Sequence, residues 1–232
     1  MKKFLVIGGS SGIGKELVGL LADKGYTVFA TYNDHPVDSD RSNVSYFSLN
    51  VLDDDLNLEA LPERLDGVAY CPGSINLMPF HRIKPEAFSK DYELQVVGAI
   101  RVLQQIQGRL KQSESPAVVL FSTVAVQNGF AFHSQVSSSK GALEGLTRAL
   151  AAEWAPTIRV NAIAPSITET PLAGRFLNSE DKIRANADRH PLKRIGTPRN
   201  IADMAVFLLS EKSAWTTGQV LTVDGGISSV KL

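Results

Sequence analysis

The sequence predicts an α/β fold: a single domain built on an open parallel sheet, doubly wound with helices against both faces. Three observations carry that prediction. Short β-branched and apolar runs alternate with longer stretches whose apolar residues recur at helical spacing. The first run ends in a glycine-rich turn that passes directly into a helix pattern. No linker or low-complexity stretch divides the 232 residues, and at 44% hydrophobic they are enough for one sizeable core.

The run KFLVI at 3–7 reads as a buried strand, too short for a leader segment, and it ends in Gly8-Gly9-Ser10-Ser11-Gly12-Ile13-Gly14. From 15 to 24, Leu17, Val18, Leu20 and Leu21 mark a helix that Gly25 closes. Strand, glycine turn and helix in that order make a phosphate site. Glycines let a pyrophosphate approach the backbone, and the N–H groups of the helix N-terminus meet the anion with partial positive charge. The spacing is Gly-x-x-x-Gly-x-Gly rather than G-x-G-x-x-G, and a plain structural turn is the competing reading.

Further strands are expected over 27–32, 44–48, 67–70, 117–122, 158–163 and 219–223. Between them, Val96, Ile100, Leu103, Ile106 and Leu110 form one helical stripe, and Leu143, Leu146, Leu150 and Trp154 another. Such alternation places a ligand at the carboxyl ends of the strands, where the glycine turn lies. The Asp53-Asp54-Asp55 cluster reads as the negative first turn of a short helix, not a metal site, because adjacent side chains diverge on a helix. No metal is expected.

Lys and Arg total 24, as do Asp and Glu, without long runs of either sign. That balance argues against nucleic acid or an anionic membrane as partner. Cys71 is the only cysteine, which excludes an internal disulfide and fits a reducing, cytoplasmic setting.

From its first strand almost to its end, the chain resembles the short-chain dehydrogenase/reductase family. Gly8-GSS-Gly12-Ile13-Gly14 is similar to the family's TGxxxGIG turn, with Ile7 in place of threonine. Arg159-Val160-Asn161-Ala162-Ile163-Ala164-Pro165 is similar to its RVNAxxP segment, with Ser166 in place of glycine. The most specific match runs from Pro191 through Thr197-Pro198, Ile201-Ala202 and Phe207-LLS-Glu211 to Thr217-GQ-Val220-LTVDG-Gly226. The resemblance implies a Rossmann-like domain over 1–232, a substrate lid around 172–190, and an NAD(P)-dependent oxidoreductase acting on a small molecule.

The departures fall where the chemistry belongs. The family's Tyr-x-x-x-Lys appears as Val136-Ser-Ser-Ser-Lys140. The family's serine that polarises the substrate carbonyl falls on Thr123, with Ser122 beside it, and the asparagine of its proton relay on Gln95. Its NNAG segment appears as Tyr70-Cys71-Pro72-Gly73. In the resembled mechanism the tyrosine moves the proton while lysine holds the ribose and lowers the tyrosine pKa. No tyrosine follows Tyr92. Enoyl reductases of the superfamily carry theirs seven residues before the lysine, which is His133 here. If the helix extends that far, His133 shares a face with Lys140 and is an acid near neutral pH. The alternative is a loop histidine at a helix entrance.

For the cofactor, the resemblance implies Gly8, Ser10, Ser11, Gly12, Ile13 and Gly14 at the pyrophosphate, and Tyr32, Asn33, Asn50 and Val51 toward the adenosine. Pro72, Gly73 and Lys140 fall at the nicotinamide-side ribose, and Pro165, Ile167 and Thr170 at the carboxamide end. Strand two ends in Tyr32-Asn33 without the acid that selects NAD, so NADP is favoured, with NAD the alternative. Ser137, Ser138, Ser139, Gly141, Ala142 and Gly145 give the lysine helix little bulk, and in the family that helix pairs subunits. A homodimer or homotetramer is expected, alone or mixed with an active relative. Arg175, Arg184, Arg189 and His190 fall in the lid and receive no role. Two functions follow: a reductase of a small carbonyl or activated alkene with an atypical site, or a catalytically silent cofactor-binding homologue.

Overall fold

In the first strand the side chains alternate between two cores. Leu5 and Ile7 enter one buried cluster, Phe4 and Val6 the other. A computed structural model, which describes residues 1–231, extends this pattern across seven strands. They are β1 (Lys3–Ile7), β2 (Thr27–Tyr32), β3 (Val44–Ser48), β4 (Gly67–Tyr70), β5 (Ala117–Phe121), β6 (Arg159–Pro165) and β7 (Val220–Val223). All pair in parallel, in the order β3-β2-β1-β4-β5-β6-β7.

The helices are α1 (Gly12–Asp23), α2 (Pro85–Tyr92), α3 (Gly98–Leu110), α4 (Ala125–Asn128), α5 (Ser134–Glu153), α6 (Glu180–Asp188) and α7 (Pro198–Leu209). Leu17, Leu21, Ile201 and Leu208 bring α1 and α7 onto one face of the sheet. Leu103, Ile106 and Leu143 bring α3 and α5 onto the other. Each such side chain, taken fully out of water, contributes about 1.5–3 kcal/mol. The strand order reverses between β1 and β4, where Ile7 is in register with Tyr70, the place at which an open sheet of this kind binds a ligand.

Four expectations are corrected. No helix begins at Asp53. The Asn50 side chain accepts from the Leu52 N–H at 3.2 Å and donates to Asp53 Oδ1 at 2.8 Å, which holds a turn in place of a helical start. Leu56 and Leu58, two residues apart, then bury into the core in an irregular connection that crosses Pro62. The helix stripe expected from Val96 is interrupted: Glu93–Val97 form a π-helical turn between α2 and α3, and Gln95 sits in it. The small residues of α5 do not all share one face. Ser138 and Gly145 point outward, but Ser139 is buried, and Ser137 donates to the Ala125 carbonyl at 3.2 Å. Finally, Ser122, Ile158 and Gln219 fall just outside their strands.

The segment after β6 forms a 3₁₀ helix (Pro171–Phe176) and then α6. His190 closes it and is buried. Its Nδ1 meets the Asn186 carbonyl at 2.7 Å and its Nε2 the Ser166 hydroxyl at 2.8 Å, so it fastens this segment to the end of β6. Thr197 and Asn200 cap α7 reciprocally, with Pro198 at its first position. No helix among the described residues is long and apolar enough to cross a membrane, and no His, Cys, Asp and Glu side chains among them group as metal ligands would.

Candidate active site

The glycine turn is shaped by close contacts. A Cβ on Gly14 would lie 2.2 Å from the Gly8 carbonyl oxygen, so only glycine lets α1 start this close to β1. Gly12 has φ +51°, and a Cβ there would stand 3.4 Å from Thr170 in the loop after β6. The Gly8 N–H donates to Thr31 Oγ1 at 2.9 Å, which ties the turn to β2. Ser11 is the N-cap of α1, yet no side chain caps the helix, so Gly12, Ile13 and Gly14 present uncapped N–H groups beside Ser10 and Ser11.

The surroundings of the turn come from the ends of β2, β3, β4 and β6. Cys71 N donates to the Ile7 carbonyl at 3.0 Å, and a Cβ on Gly8 would meet Pro72 at 3.3 Å, so the segment after β4 lies directly against the glycine turn. Pro165 at the end of β6 and Ile167 and Thr170 in the loop after it are half-buried, and Thr170 Oγ1 accepts from the Ala173 N–H at 3.3 Å. At the far end, Tyr32 is half-buried, Asn33 is exposed, and Asn50 forms its turn. Val51 packs beneath Gly98, which would place a Cβ within 3.0 Å of it.

The centre of the site is Lys140 on α5. It is 8% exposed, and burial pushes its pKa down to about 8, against the opposing pull of Asp91 and Cys71. The Cys71 thiol is pushed up to about 12 by its own burial and stays neutral. A Cβ on Gly73 would stand 3.5 Å from Lys140 Nζ and 3.3 Å from Gln95 Oε1, so lysine and glutamine border one small space in front of Gly73. Gln95 is fully buried. Its Nε2 donates to Asp91 Oδ2 at 2.8 Å, and its Oε1 has no partner among the described residues.

The remaining candidates divide. Thr123 follows β5 and its Oγ1 accepts from the Ala125 N–H at 3.3 Å, which leaves its own hydrogen to donate. Ser122 is turned away: it is buried and donates to Glu144 Oε1 at 2.7 Å. The helix does not extend to His133. That residue is the N-cap of α5, and its Nδ1 lies 2.8 Å from the Ala131 carbonyl. A carbonyl oxygen only accepts, so Nδ1 carries the proton and Nε2 is the unengaged ring nitrogen. Val136 is 5% exposed and fills its place with aliphatic carbon. Asp91 was not anticipated from sequence. Its signal was an acid four residues before Gln95, on the same helical face.

The chain is similar to known proteins over nearly its whole length. The family profile described as enoyl-(acyl carrier protein) reductase matches residues 8–228. L-xylulose reductase of Bos taurus is 33% identical over 241 aligned positions, covering 97% of this chain and 96% of that one. A solved short chain dehydrogenase family protein from Francisella tularensis subsp. tularensis SCHU S4 superposes with TM-score 0.90 at 26% identity, covering 99% and 100% of the two chains. ElxO with NADP bound superposes with TM-score 0.90 at 26% identity, covering 99% of each.

Proposed function

Because this chain belongs to the short-chain dehydrogenase/reductase family of NAD(P)-dependent oxidoreductases, we propose that it reduces a small carbonyl or activated alkene with an atypical active site. The observation that carries this reading is Lys140: an ammonium held in a buried position beside Gly73, its pKa brought toward neutrality, in front of the segment that packs against the glycine turn.

The residues fit the cofactor. The tight turn that Gly8, Gly12 and Gly14 permit would hold a pyrophosphate, with the N–H groups of Gly12, Ile13 and Gly14 as donors and Ser10 and Ser11 alongside. Tyr32, Asn33, Asn50 and Val51 would border the adenosine, where the lack of an acid on β2 favours NADP over NAD. Pro72, Gly73 and Lys140 would hold the nicotinamide-side ribose, and Pro165, Ile167 and Thr170 the carboxamide. The bound nicotinamide supplies the hydride. The chain's own part is to orient the substrate oxygen through Thr123, to hold positive charge at Lys140, and to deliver a proton. Val136 has none to give. His133 Nε2, protonated in the imidazolium, is the candidate donor. The segment 172–190 acts as the substrate lid, and the exposed Ser138 and Gly145 on α5 let a second subunit approach in a homodimer or homotetramer.

One arrangement favours the second reading, a silent cofactor-binding subunit: Val136 is packed as a core residue and Ser122 is committed to Glu144. Val136→Tyr separates the two. Loss of a general acid costs about 10²- to 10⁴-fold, so the variant should raise NADPH-dependent reduction of a panel of small ketones, aldehydes and enones by that order. Measurable wild-type turnover that His133→Ala abolishes establishes the displaced acid. No turnover in either wild type or Val136→Tyr supports the silent subunit.

A further inference from the structure

Three carboxylates are the buried acids among the described residues: Asp66, Glu144 and Asp91. Asp66 has Arg64 at 3.6 Å and Glu144 has Arg148 at 3.8 Å. Asp91, 3% exposed, has no Lys, Arg or His nitrogen within 4 Å among those residues. A carboxylate taken out of water needs compensation, and here it comes from neutral donors. Ser139 Oγ donates at 2.6 Å, Gln95 Nε2 at 2.8 Å, and Ser74 Oγ also donates. Each donor stands on a different wall of the Lys140 site. Ser139 precedes Lys140 on α5, Ser74 follows Gly73, and Gln95 occupies the π-helical turn.

The amide of Gln95 has its orientation dictated by this contact. Nε2 faces two acceptors, Asp91 Oδ2 and the Ser74 carbonyl at 3.5 Å, so the oxygen must point the other way. There it is buried, without a donor, and directed at the same space in front of Gly73 that Lys140 Nζ borders. An acceptor and a cation therefore meet at one point, with the carboxylate behind the acceptor.

We propose that Asp91 is a positioning residue of the Lys140 site: held behind the Gln95 amide, it turns the Gln95 oxygen toward the space in front of Gly73 that the Lys140 ammonium borders. This deepens the reading of Lys140 as the cofactor-side lysine and names a charge partner supplied from outside its own helix. Two titratable groups act on Lys140 from the elements packed against it, Asp91 and Cys71. Cys71, with a pKa near 12, is neutral over the range in which Lys140 titrates, which leaves Asp91 as the anion.

The test needs no cofactor. The Lys140 ¹³Cε resonance, assigned by its loss in Lys140→Met, is titrated by NMR in the wild type and in Asp91→Asn, which keeps the shape and removes the charge. The midpoint should fall by about one unit or more in the variant, the scale set by one nearby opposite charge. A folded Asp91→Asn with an unchanged midpoint, whatever its melting temperature, overturns the proposal. Should that variant not fold, the Gln95 side-chain amide protons in the wild type give the answer. They should shift with the Lys140 midpoint, and an amide blind to that titration contradicts the proposal. An NADPH titration run in parallel keeps the two ideas apart: absence of binding removes the functional reading, and the midpoint still decides the role of Asp91.

Discussion

Lys140 has a pKa of about 8 in the folded chain, against 10.5 for an ordinary lysine. Between those values the unfolded chain still holds the proton that the folded chain has released, so this residue makes stability rise with pH across that window. Below pH 8 both states are protonated and the full cost of burying the charge is present, on the order of a few kcal/mol. Lys140→Met should therefore melt higher than the wild type at pH 7, and the gap should narrow as pH is raised from 8 toward 10.5. Thermal denaturation across that range checks this, and a gap that stays constant contradicts the buried-charge account. The stabilised variant should lose the function that keeps a lysine there. In the proposed chemistry His133 is the candidate proton donor, since its Nε2 is unengaged while Val136 has no proton to give and Ser122 is committed to Glu144.

At the scale of the element, two of the three glycines of α1 carry opposite expectations. A Cβ at Gly14 would meet the Gly8 carbonyl oxygen at 2.2 Å, so Gly14→Ala must push the helix off the turn. It should cost about 1–3 kcal/mol and abolish cofactor binding, because the N–H groups no longer converge. Gly19 lies in the same helix with nothing within 4 Å of its would-be Cβ. Gly19→Ala should stabilise by about 0.5–1 kcal/mol and leave binding unchanged. Chemical denaturation and a cofactor titration on the pair distinguish a turn built for a ligand from a helix that merely tolerates glycine. The Arg159–Asn161 segment shows the same logic in a strand. The Arg159 guanidinium caps the end of α7 through the Leu208 carbonyl at 3.0 Å and the Ser210 carbonyl at 3.1 Å, and also meets Ser213 Oγ at 2.8 Å. Asn161 takes the Gln219 N–H at 3.1 Å and gives its own to the Thr216 carbonyl at 2.9 Å. A motif recognisable in sequence proves to be the joint between β6, α7 and β7.

For the whole molecule, the alternation of strand and helix was legible because each strand is an apolar run bounded by turn residues, and β1 to β4 begin and end where those runs do. The glycine turn was legible for the same reason. What escaped was set by side-chain contacts between distant segments. The Asn50 turn competes locally with a helix that three aspartates would otherwise begin, and the π-helical turn leaves no mark in the spacing of Val96, Ile100 and Leu103. Asp91 reads as one more charge on a helix until α5 and the segment after β4 are brought against it. Ser122 and Thr123 are adjacent and chemically alike in sequence, and only Glu144 separates them. The central claim, a cofactor cradle centred on Lys140, is tested most directly by titrating the purified protein with NADPH and with NADH, following nicotinamide fluorescence. Saturable binding is expected, tighter for NADPH, and weakened about tenfold or more by Lys140→Met, the worth of one charged hydrogen bond. Absence of saturable binding to either nucleotide at millimolar concentration contradicts that claim.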